Sequence, residues 1–483
     1  MKVNISNIKT KNNNAEKILQ FGEGNFLRAF VDWMINRLNE TGSFDGSVVV
    51  VQPLENGMVE KLNEQNGLYT VILKGIENGN EVYNSEVVSS ISRGVNPYKN
   101  FDEYEKLSFS ENLKIIISNT TEAGIYFDET EKLEDKPQKS YVGKLTALLY
   151  KRFKHFNGDL ERGFYIIPCE LIEKNGEKLR ETILKYAHHW NLGDEFINWL
   201  LNANIFYNSL VDRIVPGFPK DNHKEVCDYL GYEDDLIVEC EPFHLWVIEG
   251  PKKIKEVLPF EKCNLNVLVV DDLTPYRTRK VRILNGAHTL MVPVAMLSKL
   301  ETVRESVEDE LIGRYVKETI FDEIVPVIDL PENELKEFSY AVLERFKNPF
   351  IKHYLSSIAL NSISKFETRV LPTLIEYRNN KGFLPKNIVF SLASLILFYK
   401  GKGLDGSEIK LNDSDFVLDF FNDVWKDYSG DEKSLEDVAK KVLMNKDFWK
   451  MDLTKIEGLT KFVAENMKNI LKLGIREALS NLR

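Results

Sequence analysis

Three polar side chains in one short segment have the types and spacing needed for proton transfer to a carbonyl group. Lys280, Asn285 and His288 follow one another in the pattern Lys-x4-Asn-x2-His. Reduction of a carbonyl group by hydride transfer requires an acid that protonates the oxygen and donors that stabilise its developing negative charge. Lys280 could be that acid, with a pKa lowered by desolvation and by the neighbouring Arg279 and Arg282. Asn285 could donate its amide to the oxygen, and His288 could orient the substrate or the lysine.

The same segment also allows a purely structural interpretation. Between residues 290 and 297 the chain is apolar around most of the helix circumference, and a helix of this kind is buried. Asn285 and His288 would then be buried at its start and would need hydrogen-bonding partners. Lys280 would be a solvated charge, Asn285 a helix cap and His288 a core histidine. The spacing alone favours this second interpretation.

A second group of candidate residues follows the first predicted strand. That strand runs into the sequence Phe21-Gly22-Glu23-Gly24-Asn25-Phe26-Leu27-Arg28, and a helical pattern comes next. In a dinucleotide-binding fold, Gly22 would permit the tight turn, and Gly24 would let the backbone approach a pyrophosphate at the helix N-terminus. The third glycine of the fingerprint is absent, since Leu27 stands in its place. By itself the motif leaves dinucleotide binding and a plain strand-turn-helix equally open.

The end of the second predicted strand bears on the choice of nucleotide. NAD-binding folds commonly have Asp or Glu there to bind the ribose hydroxyls, and this chain has Gln52. Gln52 can hydrogen-bond the ribose but has no charge that would repel a 2′-phosphate. No Arg or Lys lies between Val48 and Glu60 to attract such a phosphate. The balance favours NAD over NADP.

The candidates require a framework of strands and helices, which the hydrophobic pattern supplies. Short runs of Val and Ile predict strands buried on both faces, as in a parallel sheet covered by helices. These runs are Ile18–Phe21, Val48–Val51, Leu113–Ile117, Phe164–Ile167 and Val267–Val270. Residues 69–89, with a turn at 77–80, predict an inserted hairpin.

After about Asp271, helical periods dominate the chain. The predicted helices are 283–297, 309–324, 332–345, 349–363, 387–398 and 459–479, and Pro293 would kink the first of them. The sequence therefore predicts an α/β fold with two parts. Residues 1–271 form a doubly wound Rossmann-type domain with an inserted hairpin, and residues 272–483 form a mostly α-helical domain.

Composition excludes several other classes of protein. The 483 residues carry a formal net charge of −11, which argues against a general nucleic-acid binder. Residues 1–16 have no apolar core of a secretory signal, and the longest apolar stretch, 388–399, is too short to span a membrane. The four cysteines are widely spaced and predict reduced thiols without a metal site: Cys169, Cys227, Cys240 and Cys263. We expect a cytoplasmic protein that acts on a small molecule; its oligomeric state is left open.

Five ordered motifs together resemble the long-chain mannitol dehydrogenase family over nearly the whole chain. Besides the motif that contains Lys280, they are Gly22-x-Gly24-x-Phe26-x-Arg28, Thr121-Glu122-x-Gly124, Asn208–Arg213, and Glu241-Pro242-Phe243 with Trp246–Glu249. Five motifs in order are far more specific than any one of them, so the resemblance reverses the preference for a structural role of Lys280. The sequences of residues 20–30 and 118–124 most resemble those of family members that reduce an open-chain keto sugar acid with NADH.

The resemblance implies a zinc-independent mechanism in which Lys280 is the acid and base and two asparagines bind the reacting oxygen. One matches Asn285. The other is placed at Asn175, although Glu170 and Leu171 stand here where relatives often have Asp and Asn. The implied cofactor is NAD(H), with contacts from Phe21, Gly22, Gly24, Asn25, Phe26, Arg28, Gln52 and Thr121.

Two further residues are candidates for substrate binding by the same resemblance. Asp212 is either a contact near the substrate or a buried ion pair with an arginine. Lys365 is either the contact for a substrate carboxylate or an ordinary exposed lysine. Alternatives for the whole protein are the same chemistry on another keto sugar acid or a neutral ketose, a nucleotide-binding regulator without turnover, and a purely structural helical protein. The last would leave the glycine turn unexplained.

Overall fold

The computed structural model describes residues 3–8, 14–121 and 123–482. Glu122, which belongs to one of the motifs, lies outside the described residues, as does part of the polar N-terminus. The chain divides into two compact units, Met1–Leu273 and Thr274–Arg483. Each unit is described by itself below.

The centre of the first unit is a six-stranded sheet in which all neighbouring strands are parallel. In chain order its strands are Glu16–Phe21, Ser47–Val51, Ile91–Val95, Ile115–Ser118, Tyr165–Pro168 and Ile205–Phe206. In space they lie in the order 3-2-1-4-5-6, which is the order of a dinucleotide-binding sheet. The order reverses between the first and fourth strands, so a ligand is expected beyond Phe21 and Ser118, where these two strands end.

Continuous apolar runs form these strands because both faces of the sheet are covered. Ile18, Val48 and Val50 belong to one buried cluster, together with residues of the helix that follows the glycine loop. Leu19 and Val49 belong to a second cluster with residues of the helices Tyr141–His155, Asn175–His189 and Asp194–Ala203. Alternate side chains therefore enter different cores, and a polar residue within either run would be buried.

The predicted hairpin is confirmed as an antiparallel pair, Tyr69–Glu77 and Asn80–Val88. Its turn lies at Asn78 and Gly79, which have φ angles of 52° and 78°. Two positive φ angles of this kind match the right-handed twist of the strands. A third strand, Val238–Cys240, extends this small sheet in parallel with Tyr69–Glu77.

The prediction for Val267–Val270 is correct as a strand but wrong in its placement. The strand pairs in parallel with Leu245–Glu249, which in turn pairs antiparallel with Asn208–Asp212, and the three form a separate sheet. Its four residues are all half-buried, so this run is not enclosed on both faces. An apolar run by itself does not specify which sheet it joins.

The remaining elements of the first unit are short strands, helices and helical turns. They are Val3–Asn4, Ile5–Asn7, Asn25–Leu27, Arg28–Asp32, Trp33–Glu40, Val59–Glu64, Phe101–Lys106, Leu107–Phe109, Leu160–Arg162, His223–Leu230, Tyr232–Glu233, Ile254–Val257 and Phe260–Lys262. Arg28–Asp32 is a π-helical turn that joins the α-helical segments on either side.

Helices and helical turns make up most of the described part of the second unit. Its helices and helical turns are Thr274–Arg279, Lys280–Asn285, Gly286–Leu297, Val303–Glu308, Glu310–Glu318, Thr319–Ile324, Val325–Val327, Glu332–Phe346, Leu355–Ile358, Ser362–Arg369, Leu371–Lys381, Lys386–Phe398, Asp415–Lys426, Glu432–Leu443, Lys446–Trp449, Leu453–Lys455, Leu459–Leu473 and Ile475–Ser480. Pro293 lies inside Gly286–Leu297. The α/β class with a helical second part is confirmed.

Two of the predicted helices are wrong in extent. Residues 349–354 are not helical, because the chain there runs alongside residues 301–303: Val303 N donates to His353 O at 2.9 Å and Leu355 N to Glu301 O at 2.8 Å. The predicted helix 459–479 is interrupted at Gly474, whose φ of 84° cannot continue a helix.

Within the described ranges, no helix is long and apolar enough to cross a membrane. Among the same residues, no group of three or more His, Cys, Asp or Glu side chains is arranged to hold a metal ion. All four cysteines are free thiols, and three of them are buried.

Candidate active site

The glycine loop of the first unit packs closely against the neighbouring backbone at Gly22 and leaves open space at Gly24. Gly22 has a φ of 117°, and a Cβ atom there would lie 2.9 Å from the carbonyl oxygen of Asn119. Gly24 precedes the helix that begins at Asn25, and a Cβ atom there would meet nothing within 4 Å. Gly22 is therefore required by the fold, whereas Gly24 leaves open space at a helix N-terminus. This is the arrangement that binds a phosphate group.

A cavity of about 170 Å³ lies at the reversal point of the sheet. The glycine loop, Pro53 and Leu54 line one part of it, and residues 119–121, Gly124 and Tyr126 line another. Leu54 and Tyr126 are 64% and 46% exposed. Two exposed apolar side chains on a cavity of this kind suit a flat aromatic ring such as adenine.

The loop after the fourth strand is held in a strained conformation. Thr121 has a φ of 78°, which is rare for a β-branched residue. The carboxylate of Glu170 fixes the loop, since it accepts hydrogen bonds from Thr120 N at 3.0 Å and from the Ser118 hydroxyl at 3.0 Å. Burial raises the pKa of Glu170, and these hydrogen bonds oppose the shift. Thr121 thus lies on the cavity at a fixed position, and Glu170 is the side chain that positions its loop.

Four residues predicted to contact the cofactor have side chains that pack against, or hydrogen-bond to, other parts of the protein. The Phe21 ring lies in the core, 4.9 Å from the ring of Tyr141, so only its backbone borders the loop. The Phe26 ring stacks on Phe30 at 5.0 Å. Arg28 is 1% exposed and donates to the carbonyl oxygens of Glu23 and Leu236 and to Asn25 Oδ1. Arg28 and Asn25 therefore hold the shape of the glycine loop.

The carboxamide of Gln52 forms its hydrogen bonds within the protein. Its side-chain nitrogen donates to the carbonyl oxygens of Leu54 at 2.8 Å and Glu55 at 2.9 Å. Its side-chain oxygen accepts from Val59 N at 3.4 Å. The side chain is 1% exposed. Gln52 therefore holds the loop of residues 53–59, and its contact with a ribose stays a prediction.

The carboxamide of Asn175 also forms its hydrogen bonds with the surrounding backbone. Its amide nitrogen lies 3.0 Å from each of three carbonyl oxygens, those of Pro168, Glu170 and Ser209. Its oxygen accepts from Ser209 N at 2.8 Å. With 1% exposure Asn175 links the strand that ends at Pro168 to the strand that contains Ser209, and its contact with a reacting oxygen stays a prediction.

Asp212 ends the strand Asn208–Asp212 and is 5% exposed. Its neighbour Arg213 donates to the carbonyl oxygens of Glu241 at 2.9 Å and Ala29 at 2.6 Å, and its guanidinium lies 4.2 Å from the centre of the Trp33 ring. The side chain of Arg213 thus joins the first helix to the strand region that contains the Glu241 motif.

In the second unit, a π-helical turn brings Lys280 and Asn285 to one side of a helix. The turn spans Lys280–Asn285, and the α-helix Gly286–Leu297 continues from it. In a regular α-helix, residues five apart point roughly 140° away from each other. In a π turn, residues five apart are joined by the backbone hydrogen bond, so they lie on the same side of the helix. His288 follows three residues after Asn285, on the same side.

His288 is buried, neutral and incompletely bonded. It is 9% exposed, and its ring stacks on Phe346 at 4.3 Å and meets His353 edge-on at 5.0 Å. Burial is the largest cause that holds its pKa well below the usual value, and nearby basic side chains add to the shift. Within the described part of the chain its Nε2 atom has no hydrogen-bond partner. A buried polar atom of this kind indicates a ligand or an ordered water.

Asn285 is less buried than the sequence predicts. It is half-buried, and its backbone carbonyl accepts from the Thr289 hydroxyl at 2.9 Å. Among the described residues, its carboxamide has no hydrogen-bonding partner. Asn285 is not a helix cap, because helix continues on both sides of it. Its carboxamide is thus available to a substrate.

The two arginines beside Lys280 are each engaged by an acid. Arg282 forms a two-pronged ion pair with Glu376, with one N···O distance of 2.7 Å. Arg279 lies 4.0 Å from Glu334 and packs over the Phe338 ring at 4.5 Å. Their positive charges are therefore partly compensated, and their effect on Lys280 is smaller than the sequence alone implies.

A cluster of basic side chains surrounds His288, which we call the basic cluster. Its members are the four whose charges act on the His288 ring: Arg345, His353, Lys365 and Arg369. Lys365 is half-buried and donates to Ile358 O at 2.8 Å, and burial with the neighbouring Arg369 lowers its pKa. Arg369 is half-buried without an acidic partner among the described residues. Such a cluster suits an anionic ligand.

Sequence reasoning missed Glu23, Glu170, His353 and Arg369 as parts of these sites. Glu23 and Glu170 stand within or beside motifs that were identified, and a carboxyl group next to a glycine loop is a usable signal. Arg369 lies four residues after Lys365 on the helix Ser362–Arg369, a spacing that puts both on one face. His353 gave no signal, because its position depends on a tertiary pairing.

Comparisons with known proteins agree over nearly the whole chain. Residues 16–262 match the family described as "Mannitol dehydrogenase Rossmann domain", and residues 272–471 match "Mannitol dehydrogenase C-terminal domain". An altronate oxidoreductase of Bacillus subtilis (strain 168) is 53% identical over 464 residues, which are 96% of this chain and 94% of that protein.

Two solved structures share the fold at low sequence identity. Pseudomonas fluorescens mannitol 2-dehydrogenase, in a ternary complex with NAD and D-mannitol, matches with a TM-score of 0.69 at 21% identity and covers 100% of this chain and 99% of its own. A substrate-free D-sorbitol dehydrogenase matches with a TM-score of 0.79 at 22% identity and covers 99% of this chain and 96% of its own. At this identity the likeness establishes the fold alone.

Proposed function

Because the chain belongs to the mannitol dehydrogenase family, we propose that it is an NAD-dependent altronate oxidoreductase that reduces D-tagaturonate to D-altronate in hexuronate breakdown. The observation that carries the proposal is the composition of the site in the second unit. There the Lys280-Asn285 pair stands on the same helical segment as His288, whose buried Nε2 lacks a partner among the described residues. The basic cluster around that histidine suits a substrate with a carboxylate.

The cavity of the first unit supports a dinucleotide as the cofactor. Open space at Gly24 would accept the pyrophosphate, and Leu54 and Tyr126 would cover the adenine. Bound NADH would supply the hydride that reduces the carbonyl carbon. The protein must supply the proton, the donors for the oxygen and the contacts that orient the sugar chain.

Lys280 is proposed to give its ammonium proton to the carbonyl oxygen as that oxygen becomes a hydroxyl. Asn285 would donate an amide N–H to the same oxygen and stabilise its developing charge. In the oxidative direction Lys280 would take the hydroxyl proton back. No step requires a metal ion, which agrees with the zinc-independent mechanism implied by the resemblance.

The other side chains would fix the orientation of the substrate. A neutral His288 can hydrogen-bond a substrate hydroxyl through Nε2, whereas an imidazolium among four basic groups would be strongly disfavoured. Lys365 and Arg369 would bind the carboxylate, since Lys365 Nζ donates to Ile358 O with only one of its three N–H groups.

Relatives support altronate as the sugar acid. Altronate oxidoreductases from several bacteria are 45–53% identical to this chain over 96–98% of its length. Fructuronate and a neutral ketose such as fructose are the nearest alternatives in chemistry. A regulator that binds NAD(H) without turnover is the alternative of another class.

Initial rates of NADH oxidation by the purified protein would test the proposal, with tagaturonate, fructuronate and fructose compared at equal concentration. We expect tagaturonate to give the highest kcat/KM and fructose the lowest, because fructose lacks the carboxylate. A higher kcat/KM for fructuronate or fructose would contradict the substrate. Tight NADH binding without turnover on any of the three would favour the regulator.

A further inference from the structure

The loop between the two glycines carries a carboxylate at the edge of the nucleotide cavity. Glu23 is 8% exposed and is the one acidic side chain among the described residues that line the cavity. It belongs to neither the glycine fingerprint nor the proton-transfer site, so its presence there needs a separate explanation. An acid buried at this depth is kept only where it has a partner or a ligand.

Glu23 extends to the place where dinucleotide-binding folds usually have their ribose-binding acid. That place is the end of the second strand, where this chain has Gln52. The Glu23 and Gln52 side chains converge there, since a Cβ atom added to Gly57 would lie 2.2 Å from Glu23 Oε1 and 2.4 Å from Gln52 Cδ. An acid supplied by the first loop thus stands beside the amide supplied by the second strand.

Gln52 and Glu23 differ in how many of their hydrogen-bonding groups are already used within the protein. Gln52 uses its carboxamide to hold the loop of residues 53–59. Glu23 Oε1 accepts one hydrogen bond, from Met58 N at 3.3 Å. The carboxylate also accepts from its own backbone N–H, and its two oxygens have further lone pairs beyond these two hydrogen bonds. One side chain is therefore occupied, and the other has an acceptor to offer to the cavity.

We propose that Glu23 binds the hydroxyl groups of the adenosine ribose and thereby makes the protein select NAD(H) over NADP(H). The inference rests on the nucleotide site of the proposed function and adds the residue that distinguishes NAD(H) from NADP(H). A carboxylate accepts strong hydrogen bonds from a vicinal diol, since its charge assists them. The same charge opposes a 2′-phosphate, which would be brought close to it in a cavity of low polarity.

Equilibrium binding of both reduced nucleotides tests this assignment without any sugar substrate. Dissociation constants for NADH and NADPH would be measured by nicotinamide fluorescence in the wild type, Glu23→Gln and Glu55→Gln. Glutamine keeps an acceptor for Met58 N and removes the charge. Glu55 is an exposed acid of the neighbouring loop that does not line the cavity, so its variant is the matched control.

We expect the NADPH-to-NADH ratio of dissociation constants to fall about a hundredfold in Glu23→Gln, through roughly tenfold weaker NADH binding and roughly tenfold tighter NADPH binding. Glu55→Gln should keep the wild-type ratio. Glu23→Asp, which keeps the charge, should still prefer NADH. Equal weakening of both nucleotides by Glu23→Gln would show that Glu23 only holds the loop, and unchanged dissociation constants for both would show that another group binds the ribose. Either result would overturn the assignment, and neither depends on whether the protein reduces tagaturonate.

Discussion

His288 is kept neutral by its surroundings, and this determines what it can do for a substrate. Burial and the basic cluster hold its pKa well below the usual value. A neutral imidazole can accept or donate one hydrogen bond at Nε2, but it adds no charge to the site. The positive charge that an anionic substrate needs must therefore come from the half-buried Lys365 and Arg369.

Arg369→Gln should separate binding of the carboxylate from chemistry. We expect KM for tagaturonate to rise roughly tenfold to a hundredfold, because a hydrogen-bonded charge pair is lost, while kcat falls less. The KM for fructose should change little, since fructose has no carboxylate. Steady-state kinetics on both substrates would measure the effects.

Arg378→Gln is the matched control for that experiment. Arg378 is on the next helix and is already paired with Glu457 at 3.1 Å, so its loss should leave both KM values unchanged. Equal effects of Arg369→Gln on tagaturonate and fructose would refute the assigned contact and would indicate a structural role for Arg369.

Local backbone geometry positions the candidate residues more than their spacing in the sequence does. The pattern Lys-x4-Asn would separate Lys280 from Asn285 on a regular α-helix, and the π turn removes that separation. A π turn leaves the apolar pattern almost unchanged, so the periodicity of the sequence could not reveal it. The same holds for the π turn Arg28–Asp32 that follows the glycine loop.

The sequence was most informative where one residue can do only one thing. Gly22 and the apolar strands predicted the glycine turn and the central sheet, because few alternatives fit a positive φ angle or a strand covered on both faces. It was least informative for Gln52 and Asn175, whose side chains can serve either a ligand or the backbone. Their contacts with residues 53–59 and with Ser209 depend on the tertiary structure and could not be predicted from the sequence.

The two glycines of the loop should respond differently to the same substitution. Gly22→Ala forces a positive φ on alanine and a contact with Asn119 O, so we expect about 1–3 kcal/mol less stability and impaired NADH binding. Gly24 has a φ of −67°, which alanine also adopts, and a methyl group there would have open space around it. We therefore expect the melting temperature of Gly24→Ala to stay unchanged. NADH binding should still weaken about tenfold or more, because the methyl group would occupy the phosphate position.

Thermal melting and NADH titration of both variants would measure these effects. Normal NADH affinity in Gly24→Ala would rule out the phosphate position assigned to that residue. A fully stable Gly22→Ala would contradict the requirement for glycine at the turn.

The protein consists of two compact units that contain different candidate functional groups. The first contains the glycine loop and the cavity, and the second contains Lys280, Asn285, His288 and the basic cluster. The change from Val and Ile runs to helical periods near residue 271 is the basis for the predicted domain boundary, and the compact units divide after Leu273. The break at 349–354 and the separate sheet of Val267–Val270 could not be predicted, because both depend on pairing with distant segments.

A buried acid in the first unit makes stability depend on pH. Burial raises the pKa of Asp32 to about 7, and the side chain is fully buried beside Gln20. The folded protein therefore binds this proton more tightly than the unfolded chain, so the stability it contributes is present at low pH and is lost as pH rises towards 7. In Asp32→Asn this dependence should disappear.

Relative to the wild type, Asp32→Asn should gain roughly 2 to 3 kcal/mol between pH 5 and pH 8. Urea unfolding of both proteins at several pH values would measure the difference. Asp45→Asn, at an exposed position, is the control and should show no such gain. A constant difference between Asp32→Asn and the wild type across this range would mean that Asp32 is ionised throughout.

The role of Lys280 is tested most directly by the turnover of Lys280→Ala with tagaturonate and NADH, measured together with the dissociation constant for NADH. We predict that kcat falls about a hundredfold or more, the usual effect of losing an acid-base group, and that NADH binding stays within about twofold of the wild type. Lys299→Ala, at an exposed lysine paired with Asp405, should keep full turnover. Near-normal turnover in Lys280→Ala would contradict the proposed proton transfer.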